Sequence, residues 1–379
     1  MVVSGSLPAD IYSARDYEAL ARQVLDASVF AHLAGGGGRD RAVQANLDAL
    51  DAQVIVPRVL RDLTAGSTAC RLAGRDWAHP IWLAPLAFQG LFHPGGELET
   101  ARAADAVGAG MALSTLSSVP LEAVAHGAKV ERWFQLYFQP SREVTLDLVR
   151  RAEAAGYAAL MVTVDAAVKP IGPSALRAGF RGEERAVNLE RYDQPATLIE
   201  PGQSLVFQGF MRDAPTWGDI EWRRSNTDLP LWIKGVLHPG DARTAKAAGV
   251  AGVVVSNHGG RTLDAAPSSL SVLPSVRAAV GDDFPLLFDG GIRSGEDIFR
   301  AIALGADAVM VGRLQACGLA VAGALGVAHM VRMLREELEI CMAMAGCATL
   351  ADVRQASMLG LGAGLGASLG EERADADHD

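Results

Sequence analysis

Residues 251–264 read Ala-Gly-Val-Val-Val-Ser-Asn-His-Gly-Gly-Arg-Thr-Leu-Asp, an apolar run followed by a polar, glycine-rich turn. The run at 251–255 predicts a buried strand, and the turn places His258 and Arg261 just after its end. A proton acceptor beside an anion-binding cation at the carboxyl end of a β/α strand is typical of an active site. A turn with a merely solvated His and Arg is the alternative, but the apolar run favours a core position.

Seven further apolar, β-rich runs occur along the chain, which makes eight candidate strands. Amphipathic helical segments lie between them, for example 97–107, 143–155, 241–248 and 295–304. A strand followed by a helix, repeated eight times, predicts the α/β class and a (β/α)8 TIM barrel; an open doubly wound sheet is the rival fold. The candidate strands are Ile81–Phe88, Met111–Leu116, Trp133–Phe138, Ala159–Asp165, Pro230–Val236, Gly252–Ser256, Pro285–Gly290 and Ala308–Gly312.

Three segments depart from this repeat within a predicted single domain of residues 1–370. Residues 1–56 predict a helical extension, with a first helix from Asp16 to Ala27 and a break at Gly35–Gly38. Residues 166–229, after the fourth strand, are longer than an ordinary connection and predict a lid; a disordered insertion over Arg181–Gln203 is the alternative. The acidic tail 371–379 predicts disorder.

Composition excludes several classes of protein. The 379 residues are 50% hydrophobic and carry a net charge of −10, which argues against a general nucleic-acid or anionic-membrane surface. No apolar run reaches membrane length, and no secretory signal is evident. The four cysteines show neither metal-ligand nor disulfide-framework spacing, so we expect reduced thiols, no metal site and a cytoplasmic protein.

The ends of the last two candidate strands predict a phosphate site. Asp289-Gly-Gly-Ile-Arg293-Ser-Gly295 closes the seventh strand, and Val311-Gly312-Arg313 closes the eighth. Glycines allow backbone N–H groups to approach oxygens, and arginine adds a charge that can bind two oxygens at once. These residues do not say whether the phosphate belongs to a substrate or to a cofactor.

Polar residues inside apolar strands point to the same end of the barrel. Lys234 is costly to bury without negative charge, which suggests a ligand atom that becomes anionic or, alternatively, an internal carboxylate. Gln135 and Tyr137 share one face of the third strand, as Thr163 and Asp165 share one face of the fourth. A buried carboxylate at Asp165 needs a partner, and His258 is the one we expect.

Taken together, these motifs resemble the FMN-dependent 2-hydroxy acid oxidase and dehydrogenase family, which includes glycolate oxidase, lactate oxidase and mandelate-oxidising enzymes. The resemblance runs in order from about Tyr17 to Ala351. The motifs that carry it are Ala84-Pro-Leu-Ala87, Phe134-Gln-Leu-Tyr137, Thr163-Val-Asp165, Ile233-Lys-Gly235, Ser256-Asn-His-Gly-Gly-Arg261, Asp289-Gly-Gly291 and Gly312-Arg313.

The resemblance implies FMN as cofactor and a role for each matching position. His258 would be the base, Asp165 its electrostatic partner, Arg261 the group that binds the substrate carboxylate, and Tyr137 a hydrogen-bond donor to the reacting oxygen. Lys234 would stabilise the charge of the reduced flavin. Residues implied to bind the cofactor are Pro85, Leu86, Ala87, Ser114, Gln135, Thr163, Lys234 and Ser256 for the ring, and Asp289, Gly291, Arg293, Gly312 and Arg313 for the ribityl chain and phosphate.

This sequence departs from the family pattern at three substrate positions. His32 stands where most members have a substrate-binding tyrosine, and Gly172 stands where a second carboxylate-binding arginine is usual. Leu116 replaces the bulky tryptophan of glycolate oxidase-like members. We therefore expect a larger or aromatic, mandelate-like 2-hydroxy acid as substrate. Residues of the long loop that could replace the missing arginine are Lys169, Arg177 and Arg181.

Other functions remain open at this point. The lost arginine favours, as the main alternative, an FMN-dependent oxidase of an alcohol or amine on a biosynthetic intermediate. A flavin-binding protein without activity would not need His258, Arg261, Tyr137 and Asp165. A sugar-phosphate isomerase would bind substrate phosphate and be colourless. Electrons could pass to oxygen, a quinone or a protein, and the family implies a homo-oligomer, a tetramer or larger.

Overall fold

A closed barrel of eight parallel strands forms the centre of the protein, in a computed structural model that describes residues 6–168, 171–193 and 199–360. The strands pair in chain order, and the last pairs with the first through Val309 and Ile81. The (β/α)8 prediction is confirmed. The barrel strands are β4 Ile81–Leu83, β5 Gly110–Ser114, β6 Arg132–Leu136, β7 Ala159–Thr163, β8 Leu231–Val236, β9 Gly252–Val255, β10 Leu286–Phe288 and β11 Ala308–Val311.

Helices cover the outside of the barrel, as expected for strands that are buried at almost every position. Several begin at side-chain caps, such as Ser141 before α6 and the Ser294 and Asp297 capping box of α11. The helices that follow the N-terminal extension, including α7 in the long segment after β7, are α4 Gly96–Val107, α5 Leu121–Gly127, α6 Arg142–Ala154, α7 Pro173–Arg177, α8 Trp217–Arg224, α9 Pro239–Ala247, α10 Ser269–Val280, α11 Gly295–Ala303, α12 Arg313–Ala345 and α13 Leu350–Arg354.

The N-terminal extension contains α1 Asp16–Val24, α2 Ala27–Ala34 and α3 Arg41–Asp51. The predicted helix from Asp16 to Ala27 was wrong at its end, because the backbone extends at Leu25 and Asp26 caps a new helix by accepting a hydrogen bond from Ser28 N. The extension is also not wholly helical. Its strand β1, Gln53–Ile55, pairs antiparallel with β12, Met358–Gly360, and so ties the end of the extension to the last described residues.

A short hairpin that the sequence analysis missed precedes the barrel. Strands β2, Cys70–Leu72, and β3, Arg75–Trp77, are joined at Ala73 and Gly74, both with positive φ. This backbone matches the tight two-residue turns of hairpins. The Trp77 ring lies 4.7 Å from the Trp82 ring, so the hairpin packs against one end of the barrel interior.

The predicted lid, residues 166–229, contains helices and turns in its described parts, 166–168, 171–193 and 199–229. Besides α7 and α8 it has a 3-10 turn at Val187–Leu189 and a π-helix at Leu205–Phe210. Asn188 is buried and fixes the turn to the barrel wall, since it accepts from Leu121 N and donates to Ser117 Oγ at 2.8 Å. Lys169 and the acidic tail 371–379 lie outside the described residues.

Two layers of side chains in the barrel interior position the site. Because side chains alternate along a strand, residues two apart face the same interior. One layer is largely apolar: Trp82, Ala112, Trp133, Met161, Trp232, Val254, Leu287 and Met310. Two residues further along each strand, towards the carboxyl ends, stand Ala84, Ser114, Gln135, Thr163, Lys234, Ser256, Asp289 and Gly312.

Helix α12 is long and apolar enough to cross a membrane by length and composition, and it is the one such helix in the described ranges. Its most apolar window is 78% buried inside the protein, against α1, α4 and α11. The kink at Ala322 and Gly323 interrupts its helical backbone. Packing in the core accounts for the apolar character of this helix.

Candidate active site

A cleft opens where the carboxyl ends of the barrel strands meet. It is lined by residues of several strand ends together with the N-terminal helix α2, as in other barrels whose sites combine different loops. Most of the predicted site residues contribute to this wall. They are Pro85, Leu86, Ala87, Ser114, Tyr137, Lys234, His258, Arg261, Asp289, Gly291, Arg293, Gly312 and Arg313, with His32.

His258 and Asp165 form the pair that the sequence predicted. His258 Nδ1 lies 2.9 Å from Asp165 Oδ1. The Asp165 carboxylate is seated against Gly235, where a Cβ atom would come within 2.5 Å of Asp165 Cγ. Burial alone raises the pKa of Asp165, but the charges of His258 and Lys234 and the hydrogen bond outweigh it and lower the pKa below its usual value.

Tyr137 and Arg261 stand near this pair. Burial and the negative charge of Asp165 raise the pKa of Tyr137, so its hydroxyl stays protonated and can donate. Arg261 donates to the carbonyl oxygen of His32 at 2.7 and 2.8 Å, which fixes its guanidinium group. Burial lowers the pKa of Arg261 to about 10, because the charged guanidinium group loses its solvation by water.

Lys234 has an internal carboxylate partner, the alternative considered from the sequence. Its Nζ lies 2.7 Å from Asp289 Oδ2 and donates to Ser256 Oγ at 2.8 Å. Ser256 in turn donates to the other oxygen of Asp289. Lys234 and Asp289 also line the cleft, so the ion pair presents both charges to a ligand.

The far end of the cleft is rich in arginine. Arg313 donates to the carbonyl oxygens of Leu33, Gly35 and Gly259, and Arg293 is paired with Glu18. Burial lowers the pKa of Arg313 to about 9, and the neighbouring positive charges of Arg261 and Arg293 add to the effect. An anion bound here would relieve that repulsion.

The residues present fit FMN. Gly290 and Gly291 have φ values of 119° and 100°, a conformation that favours glycine. Because they have no side chains, their backbone groups beside the arginines stay accessible to a ligand. A Cβ at Gly291 would lie 2.8 Å from Leu50 Cδ1, so a larger residue would not fit. In the barrel interior beside Ser114, the Gln135 Nε2 amide is buried and has no hydrogen-bond partner among the residues described. Buried donors rarely stay unpaired, which points to a ligand acceptor.

A second cavity, of about 530 Å³, shares His32, Ala87 and Tyr137 with the cleft. Thr163 and Leu116 line this cavity rather than the first one. Apolar and aromatic side chains form much of its wall, which makes it a suitable site for an apolar group. The remaining large apolar residues are Phe88, Phe138, Ile171, Phe180, Leu189 and Phe210.

The region of the missing arginine is closed by backbone. A Cβ at Gly172 would lie 2.1 Å from the carbonyl oxygen of Gly36, so no side chain fits there. Arg177 and Arg181 are exposed and line neither cavity in the described part of the chain. His32 stacks on Phe180 at 4.1 Å, and its Nε2 lies 3.5 Å from Arg261.

Sequence reasoning missed several wall residues. Met310 and Phe92 line the cleft, while Phe138, Phe180 and Phe210 line the second cavity. Met310 could have been found, because it lies two residues before Gly312 on the same strand. The three phenylalanines come from distant loops and carry no shared motif.

Within the described ranges, no group of three or more His, Cys, Asp or Glu side chains could hold a metal ion. All four cysteines are free thiols.

Comparisons with known proteins agree with this geometry. The chain is 56% identical over 356 residues to an L-lactate oxidase of Alicycliphilus denitrificans, covering 93% of this chain and 98% of the relative. It is 44% identical over 347 residues to a 4-hydroxymandelate oxidase of Amycolatopsis orientalis, covering 90% and 97%. A crystal structure of mandelate oxidase with (S)-2-phenylpropionate matches with a TM-score of 0.83 at 41% identity, covering 92% and 98%.

The family model described as FMN-dependent dehydrogenase matches residues 21–359. That range contains every strand of the barrel and every residue of the cleft wall. The protein therefore belongs to the FMN-dependent dehydrogenase family of 2-hydroxy acid oxidases and is an FMN-dependent oxidoreductase.

Proposed function

We propose that the protein oxidises a 2-hydroxy acid with a large, apolar or aromatic side chain to the 2-keto acid. FMN, when bound, supplies the acceptor for the hydride equivalent at flavin N5. The observation that carries the choice of substrate is the cavity of about 530 Å³, which adjoins the cleft at Tyr137 and His32. Glycolate and lactate would leave nearly all of this apolar volume without a ligand.

The residues around the cleft divide the binding of cofactor and substrate. Arg293, Arg313 and the Gly290–Gly291 turn would hold the phosphate, since they supply positive charge and open backbone. Gln135, Ser114 and the Pro85–Ala87 backbone would contact the ring. The other residues that we propose to contact the cofactor are Leu86, within the Pro85–Ala87 segment, and Thr163, Ser256, Asp289 and Gly312.

His258 would remove the proton that the reaction releases. Its Nδ1 faces Asp165, so a proton on Nδ1 leaves the lone pair on Nε2 to act as base. Asp165 stabilises the imidazolium that results, because its carboxylate is buried and ionised. Tyr137 would donate a hydrogen bond to the reacting oxygen. These assignments place the base, its partner and a donor on three different strand ends.

Substrate carboxylate recognition would rest on Arg261, with His32 beside it. Arg261 is held by the His32 carbonyl and has donors left for a ligand, since a guanidinium group carries five. Gly172 supplies no second cation. A single charge-assisted bond contributes about 1.5–3 kcal/mol, so the apolar cavity must provide much of the remaining affinity.

The closed backbone at Gly172 also supports the second candidate, oxidation of an alcohol or amine that has no free carboxylate. Both candidates use His258 and FMN. They differ in whether Arg261 binds a charged group or a neutral oxygen of the substrate.

Anaerobic bleaching of the bound flavin distinguishes the candidates. The panel would contain glycolate, lactate, mandelate, a long-chain 2-hydroxy acid, and the methyl ester, amide and alcohol related to mandelate. We expect mandelate or the long-chain acid to give the highest second-order rate constant for flavin reduction. Glycolate as the best substrate would contradict the proposal, and faster bleaching by the ester or alcohol would establish the second candidate.

The Leu116→Trp variant is the matched control for this panel, because it fills the second cavity without altering the residues around His258. We expect it to lose rate with mandelate and to keep its rate with glycolate. Equal losses with both acids would show that the cavity does not receive the substrate side chain.

We further propose a cytoplasmic homo-oligomer, a tetramer or larger, that passes electrons to oxygen. Free thiols at all four cysteines support a reducing compartment. Relatives with oxidase names support oxygen as acceptor. Light scattering of the purified protein tests the oligomeric state, and oxygen consumption with substrate tests oxygen as the electron acceptor.

A further inference from the structure

Three tryptophans fill the barrel interior below the cleft. Trp82, Trp133 and Trp232 belong to β4, β6 and β8, and at most 1% of each side chain is exposed. Their ring centroids are 4.3 Å apart between Trp82 and Trp133, and 4.7 Å apart between Trp133 and Trp232. Rings at these separations are in direct contact and form one continuous aromatic layer.

This tryptophan layer lies directly beneath the residues that we place around the flavin ring. Trp82, Trp133 and Trp232 precede Ala84, Gln135 and Lys234 by two positions each. Two residues of a parallel strand rise by roughly 7 Å, so only one layer of side chains separates the indoles from the ring seat. Met310 packs in the same apolar cluster as the three tryptophans and also lines the cleft, so the tryptophan layer and the cleft are adjacent.

Packing alone is a weak reason for indoles at these positions. The Trp82 and Trp232 Nε1 groups are buried and have no hydrogen-bond partner among the described residues. An N–H group buried without a partner costs about 1–3 kcal/mol, a cost that phenylalanine or leucine would not carry. The indole group must offer something that other bulky apolar side chains do not.

Among apolar side chains, indole is the most easily oxidised by one electron, and a flavin that has absorbed light is a strong one-electron oxidant. We propose that the tryptophan layer donates an electron to the photoexcited flavin and then takes it back. No bond forms or breaks, the indole that loses the electron regains it, and no external oxidant or reductant is consumed. The net result is rapid return of the flavin to its ground state without light-driven side reactions.

Contact between the three rings adds to this function. Sharing the positive charge between neighbouring indoles lowers the energy of the oxidised tryptophan, which increases the driving force for the first electron transfer and lets it compete with fluorescence. The proposal rests on the seat of FMN given under the proposed function. It does not depend on the substrate or on His258, so dark substrate oxidation and light-driven quenching can fail separately.

The test is the fluorescence lifetime of FMN bound to the full-length protein. Trp82→Phe, Trp133→Phe and Trp232→Phe remove one donor each, and Trp222→Phe is the control, because Trp222 lies outside the barrel on α8. We expect each interior variant to lengthen the lifetime and the control to match the wild type. Dark turnover should stay close to the wild-type rate in all four proteins.

Two further measurements keep the proposal falsifiable if an interior variant does not fold. Global replacement of tryptophan by 5-fluorotryptophan makes indole harder to oxidise at almost unchanged size, so the lifetime should lengthen. Transient absorption of the wild type should show an indole radical that forms and decays with the flavin signal. Unchanged lifetimes in the fluorinated protein, or quenching lost only in Tyr137→Phe, would overturn the proposal.

Discussion

His258 has a φ of 58°, a backbone conformation that residues other than glycine seldom adopt. Its neighbours hold it there: Asn257 Oδ1 accepts from Gly260 N, and Asn257 exchanges side-chain hydrogen bonds with Asn46. The hydrogen bond to Asp165 fixes the ring. Strain of this kind persists where the surroundings determine the conformation, and here it aims an imidazole across the cleft.

Asp165→Asn should lower thermal stability in a pH-dependent way. The folded pKa of Asp165 lies below its unfolded value, so its carboxylate contributes stability above the unfolded pKa of about 3.9 and loses it as the pH falls through the folded pKa. Breaking a buried pair of this kind costs about 3–5 kcal/mol.

Calorimetry of FMN-saturated wild type and variant between neutral pH and acid checks this prediction. The difference in Tm should be largest near neutral pH and should narrow as the pH falls below about 4. A difference that stays constant, or grows in acid, would show that Asp165 is not stabilised by its charge.

At the scale of elements, α7 is fixed against the glycine break that follows α2. Ser174 donates to Asp40 at 2.6 Å, and Phe180 stacks on His32. Gly172 lies against the carbonyl oxygen of Gly36, which a Cβ atom at Gly172 would overlap. This contact closes one side of the cleft above Arg261 and explains why the chain has no arginine at Gly172.

Gly172→Ala should destabilise the protein, because the new Cβ would overlap the Gly36 oxygen. The φ of Gly172 is −61°, so the cost comes from the contact and not from the backbone conformation. Overpacking of this kind costs about 1–3 kcal/mol. Chemical denaturation measures the loss.

Gly218→Ala is the control for that measurement, because the nearest atom to its Cβ would be Thr216 Oγ1 at 3.6 Å. It lies inside α8, where alanine should be neutral or slightly stabilising. If Gly172→Ala were as stable as this control, α7 would not be held against the glycine break.

The strands were predictable from sequence, whereas their exact ends were not. All eight apolar runs are barrel strands because a parallel barrel buries both faces of each strand. The first strand was expected to reach Phe88, but it ends at Leu83, since the chain turns across the cleft and Phe88 has positive φ. The β-propensity of single residues does not reveal where the hydrogen bonding between two strands ends, because the neighbouring loops determine that position.

At the scale of the whole molecule, positive charge is concentrated at one place on an acidic protein. The net charge is −10, yet Lys234, Arg261, Arg293 and Arg313 meet in one cleft. Asp289 and Glu18 pair with Lys234 and Arg293, so Arg261 and Arg313 contribute most of the positive potential that attracts anionic ligands and speeds their arrival. The net charge predicted that the protein has no basic surface, but it gave no sign that these four cationic side chains meet in one cleft.

Sequence motifs indicated the cleft better than the second cavity. Strand ends of a barrel converge, so motifs at Tyr137, His258 and Gly312 could be placed together before the structure was known. Part of the wall of the second cavity comes from Phe138, which follows β6, and from Phe180 and Phe210, which lie thirty positions apart in the lid. Only tertiary packing brings such residues together.

The most direct test of the central claim is anaerobic flavin reduction by mandelate in wild type and in His258→Ala, followed in single-turnover experiments. The account predicts that the variant keeps its FMN, and its yellow colour, but reduces it several orders of magnitude more slowly than the wild type. Near wild-type reduction by the variant, with this or any other 2-hydroxy acid, would contradict the role of His258 as the base.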